Sequence, residues 1–249
     1  VPVERIVRWA SGVLAVACLI RLAQQSLALA AEPSAAWPMA ATLLRTTWGY
    51  AWLVQVLSAI CLWGCPRLTN GGAPWSRLGA AVLGLAVCVP PAFQGHAIGA
   101  PAYTAIAVLA DALHLAASGV WIGTLAVLVV QVLPVARGSS ARAAIAAFSP
   151  LALTSAAVLA ATGSLASWLH VRHVPLLWGT TYGRVLLLKL ALVLGVAGIG
   201  AVNWRRLTPR LTEPEGLARL ARAARVEVTV AAAVLLVTAF LVATPLPGE

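Results

Sequence analysis

Long apolar runs, broken by brief polar interruptions, make up most of the chain. The runs fall at residues 6–31, 48–65, 78–95, 103–133, 145–169, 184–203 and 226–244, each near or above the ~18–20 residues that a helix needs to cross a bilayer. None alternates with the period of a barrel strand, and lipid offers no partner to backbone N–H and C=O groups, so the pattern predicts helices. The expected fold is all-α: a polytopic transmembrane helix bundle of about seven spans, making a single transmembrane domain of residues 1–249. The opening stretch, VPVERIVRWASGVLAVACLI, has an apolar run too long for a signal peptide and no convincing small-residue cleavage site, and is read as a retained span.

The interruptions carry predictions of their own. The third run ends CVPPAFQGHAIG, where Pro90 and Pro91 cannot continue the hydrogen-bond ladder; the helix should break about one turn before His96 and leave carbonyls free. The longest interruption, residues 204–225, is a basic loop in which Leu217, Leu220 and Ala224 recur at helical spacing between arginines. It reads equally as an interfacial helix or as a solvated basic linker. GVWIG at 119–123 is a GxxxG match suited to close helix approach. No internal repeat is legible.

Composition agrees with the pattern. Of 249 residues, 61% are hydrophobic and 10% charged, with a mean hydropathy of +0.92, more apolar surface than a soluble domain can hide. The net charge of +10 then becomes a statement about orientation, because arginines near helix ends stay on the cytoplasmic side. With the N-terminus inside and the C-terminus outside, Arg5, Arg8, Arg67, Arg77, Arg137, Arg142, Arg205, Arg206, Arg210, Arg219, Arg222 and Arg225 lie inside, against Arg45, Arg172 and Arg184 outside. A nucleic-acid partner is unnecessary to explain the charge. Trp37, Trp48, Trp168 and Trp178 on one side, and Trp9, Trp63, Trp75 and Trp204 on the other, fit two interfacial belts. The four cysteines suggest no disulfide framework. Cys61 and Cys65 share a helical face at a spacing that suits a soft metal, or are ordinary packing residues.

The fourth run holds the chemistry. DALHLAASGVWIGTL, residues 111–125, places Thr104, Asp111, His114, Ser118 and Trp121 on one helical face, with Ile106, Leu109, Leu113, Val120 and Val127 elsewhere. A carboxylate facing lipid costs several kcal/mol, so this stripe should face the bundle interior. At 1.5 Å per residue His114 lies roughly 15 Å deep. His96, His170 and His173 also fall in the outer half. Lys189 sits about 9 Å into the sixth span, where it either neutralises Asp111 or snorkels to the outer headgroups.

QGHAIG, then DALHLAASGVWIGTL, then LLWGTTYGRVLLLKLAL and GAVNWRRL together resemble the copper resistance protein D family of bacterial inner-membrane proteins, over about residues 42–207. By position the family's hallmark polar residues correspond to His96, Asp111, His114, Trp121, Tyr182, Gly183 and Lys189. His170, His173 and the cysteines match no family motif. The family pattern usually has eight spans with an extra one at the start, so this chain begins one helix late. The resemblance implies a multi-pass protein of the bacterial inner (cytoplasmic) membrane with a part in copper homeostasis and copper resistance.

Three functions compete. In the first, copper is received at the periplasmic face by His96, assisted by His170 or Met39, and passed inward to Asp111 and His114, with Tyr182, Lys189 and Trp121 lining the way; imidazole suits copper in either oxidation state. In the second, His96 and His170 hold haem b in an electron carrier. In the third, the protein presents copper without transporting it, as a chaperone or assembly partner to an oxidase or a periplasmic copper-binding protein. A hydrolase or transferase is not expected, since the chain has no nucleophile with a positioned base, no phosphate loop and no HExxH element, so the protein is read as a non-enzyme.

Overall fold

A computed structural model describes residues 3–65, 73–95, 103–136, 139–170, 174–207 and 215–244. Every regular element among them is helical. The chain divides into two compact units, residues 1–116 and 117–249, each taken in turn.

The first unit opens with α1 (Val3–Leu29), followed by the short α2 (Ala36–Leu43), α3 (Thr47–Gly64) and α4 (Pro74–Cys88). Helix α3 begins sharply because the Thr46 hydroxyl caps it, accepting the Gly49 amide at 3.3 Å. Gly49 has to be a glycine: a Cβ there would overlap the Leu43 carbonyl and Leu44 Cα of the preceding turn. Helix α3 then packs along α1 through a small core of Cys18, Trp52 and Val56. The indole of Trp52, 6% exposed, donates to the Cys18 carbonyl at 2.7 Å. The Arg21 guanidinium lies 5.9 Å from the Trp48 ring centre, a cation–π contact. The other seven belt tryptophans are exposed. Helix α4 stops at Cys88 and gives way to a 3₁₀ turn, Pro90–Phe93, as the two prolines require.

Helix α5 (Thr104–Val127) contributes its first half to this unit and its second to the next. It follows Tyr103, whose φ of 60° is unusual for a residue with a side chain. In the second unit α5 runs on into a π-helical turn, Leu128–Val132; then come α6 (Ser139–His170), the short α7 (Leu176–Gly179), α8 (Thr181–Val202) with another π-helical turn at Asn203–Leu207, and α9 (Gly216–Val242). Of the two readings of the 204–225 loop, the helix leading into the last span agrees with the structure: from Gly216 onward the chain is helical and continuous with the rest of α9. Its Leu220 and Ala224 are buried with Leu128, Leu133 and Ile145, with Leu217 packed against them, while Arg219, Arg222 and Arg225 stay exposed.

Among the described residues, six helical stretches are long and apolar enough to cross a membrane: Val3–Leu29, Pro74–Phe93, Thr104–Val132, Ser140–Leu169, Thr181–Arg206 and Gly216–Val242. Helix α3, 18 residues long, carries no charged residue, though Gln55, Ser58 and three tryptophans interrupt its apolar run.

Candidate functional site

On α5, Asp111, His114, Ser118 and Trp121 are half-buried, and so is Thr104 at the helix start. Ile106, Leu109, Leu113 and Val120 are exposed, the arrangement expected of a helix with its apolar side toward lipid. Alanines 107, 110 and 117 are buried between the polar positions. Asp111 and His114, three residues apart, share this face one turn from each other. Neither is without an interaction partner, and the same is true of Thr104, Ser118 and Lys189.

Asp111 and His114 belong to the first unit, whereas Trp121, Tyr182 and Lys189 belong to the second. Tyr182 and Lys189 are both half-buried on α8. Tyr182 sits in the first turn of α8, directly after the Thr180 cap and Thr181. His96 and His173 lie outside the described residues. His170 is the last residue of α6, but its side chain is not among those described. The proposed haem pair, His96 with His170, therefore falls outside the description. Among the described residues no three His, Cys, Asp or Glu side chains gather in a way that could hold a metal ion. Cys61 and Cys65 are both exposed.

One residue escaped the sequence reading. Gln94, at the end of the 3₁₀ turn and two positions before His96, has a buried side-chain amide whose Nε2 and Oε1 have no hydrogen-bond partner among the described residues. Buried amides are normally paired, so an open donor and acceptor mark a place where water or a polar solute completes the structure. Its signal was in plain view, since Gln94 opens the QGHAIG motif, but an amide beside a histidine drew no notice. A groove between α1 and α3, lined by Arg5, Arg8, Trp9, Gly12 and Trp63, shares no residue with the α5 stripe.

The fold defines a helical, multi-pass membrane protein. Residues 142–241 match the family model for copper resistance protein D. It is 27% identical over 261 aligned residues to the copper transport protein CutJ of Bacillus subtilis (strain 168), an alignment covering 99% of this chain and 47% of that protein. The chain thus spans about half the length of this relative. The family and the relative are both described by copper resistance or transport and not by a catalysed reaction. No solved structure matches the chain.

Proposed function

We propose that the protein handles copper in the bacterial inner membrane, receiving the ion at the outer face and moving it inward. In this reading α3 is also a span, giving seven with the N-terminus inside. His96 takes up the ion just past the Pro90–Pro91 break, with His170 assisting. Asp111 orients His114, and together they form an internal waypoint. Copper is cargo here, and a periplasmic copper-binding protein is its proposed source.

One observation carries the reading: an aspartate and a histidine share the half-buried face of an otherwise apolar helix, in a chain similar to a copper transport protein. Imidazole is a good copper ligand, and its second nitrogen is commonly held by a carboxylate. The open amide of Gln94 adds a polar group beside the entry histidine.

The test is copper binding to detergent-purified protein beside copper uptake into proteoliposomes. His96→Ala should weaken binding, while His114→Ala should leave binding largely intact and stop uptake. If both substitutions abolish binding equally, the two histidines share one site and there is no relay. If neither changes either quantity, the copper reading loses its residues. A Soret band in the purified protein would favour haem instead.

A further inference from the structure

The two units contain the same local construction. In the first, a short helix (α2) ends in a tight turn, Thr46 caps α3, and Gly49 fits against the Leu43 carbonyl. In the second, the short α7 ends in a tight turn, Thr180 caps α8 by accepting the Gly183 amide at 3.0 Å, and Gly183 fits against the Leu176 carbonyl. The capping hydroxyls also donate to matching carbonyls, Thr46 to Leu43 at 2.6 Å and Thr180 to Leu176 at 2.7 Å. In each unit a long helix precedes this element, α1 or α6, and a further helix follows, α4 or α9.

The correspondence extends to the next helix. Gln55, the ninth residue of α3, donates from Nε2 to the carbonyl of Val87, the penultimate residue of α4, at 3.2 Å. That carbonyl needs a donor because the residue four places on, which would supply its helical N–H, is Pro91. Lys189 is likewise the ninth residue of α8, Leu241 is the penultimate residue of α9, and the residue four places after Leu241 is Pro245. The register agrees. Asn203 at the end of α8 bonds Glu227 of α9 at 2.9 Å. Lys189 lies fourteen residues before Asn203, and Leu241 fourteen residues after Glu227. In two antiparallel helices these steps lead to the same level. Leu241 is buried, and its carbonyl receives only the shorter-range amides of Ala243 and of Thr244, the latter at 3.1 Å, among the described residues. The C-terminal end of a helix also favours a cation.

We infer that Lys189 is the second unit's counterpart of Gln55: its ammonium donates to the C-terminal carbonyls of α9, chiefly that of Leu241, and so ties α8 to the end of α9 where Pro245 has removed the backbone donor. Lys189 is then a positioning residue, and cancelling the charge of Asp111 is not its task. The inference stands apart from the copper reading.

The experiment is a double-mutant cycle on the full chain in detergent, read as the midpoint of thermal unfolding. Lys189→Ala should lower the midpoint by about 2–4 °C, the shift expected for ~1 kcal/mol in a protein of this size. Lys189→Gln, which installs the amide of the first unit, should recover most of the loss. Pro245→Ala restores the missing N–H, so it should reduce the cost of Lys189→Ala. Gln55→Ala with Pro91→Ala should behave in parallel. The proposal is overturned if Lys189→Ala has no effect, if Lys189→Gln is as damaging as Lys189→Ala, or if Asp111→Asn cancels the Lys189→Ala loss while Pro245→Ala does not. These midpoints require no copper, so failure of transport leaves the result standing.

Discussion

Asn203 donates its side-chain amide to Glu227 across the contact between α8 and α9, and both side chains are buried. Gly200 makes the pairing possible, since a Cβ there would come within 2.8 Å of the Glu227 Oε1. A buried donor stripped of its acceptor costs about 1–3 kcal/mol. Glu227→Ala should therefore destabilise the protein by roughly that amount, while Glu227→Gln keeps an acceptor oxygen and should be close to neutral. Gly200→Ala should resemble Glu227→Ala, because the added methyl displaces the carboxylate. Thermal unfolding in detergent checks all three, and equal damage from Gln and Ala at position 227 would remove the hydrogen bond from the explanation.

The contact between α1 and α3 depends on an aromatic ring with a polar edge. Trp52→Phe retains most of the ring but loses the indole N–H that reaches the Cys18 carbonyl. The expected loss is about 1–3 kcal/mol, combining one hydrogen bond with the vacated volume. A midpoint within about 2 °C of wild type would assign the role of Trp52 to packing alone; that figure is about the smallest shift such a loss allows.

The two capped turns should fail in the same way. Gly49→Ala and Gly183→Ala each place a methyl group on a backbone carbonyl, and overpacking of this kind costs about 1–3 kcal/mol or more. Thr46→Ala and Thr180→Ala remove only the cap and should cost about 0.5–2 kcal/mol each. A large effect in one unit and none in the other, compared by unfolding midpoint, would contradict their likeness.

The remaining prediction concerns the candidate site. Asp111→Asn keeps the shape of the side chain and removes its charge. If the carboxylate orients His114, copper uptake into proteoliposomes should fall at least tenfold, the scale seen when such a partner of a metal-binding histidine is lost. Unchanged uptake and unchanged stability would leave the carboxylate without a role.

The sequence predicts most of the helices because long apolar runs are an unambiguous signal, and Pro90 and Pro91 announce the end of α4 directly. The polar stripe of α5 is equally legible, since helical periodicity places Asp111 and His114 together without reference to other helices. The likeness between the units was not, because it rests on little more than Thr-Thr, an aromatic residue and Gly, at 46–49 and again at 180–183. What makes these residues equivalent is the carbonyl of a preceding turn, and only three-dimensional structure reveals that. The burial at the start of α9 was not legible either, because the partners of Leu220 and Ala224 come from segments some 75–95 residues earlier.

Helix α9 has 27 residues, so it is about 40 Å long at 1.5 Å per residue, whereas the hydrocarbon layer is only ~30 Å thick. A lone helix would absorb that mismatch by tilting. This one is held along its arginine-bearing end by Leu128, Leu133 and Ile145, so tilting would move its neighbours as well. Arg219, Arg222 and Arg225 are exposed at the same end, and each attracts anionic headgroups by about 1 kcal/mol. Packing and charge therefore fix the depth at which the second unit floats, and a bilayer of different thickness must deform around the protein.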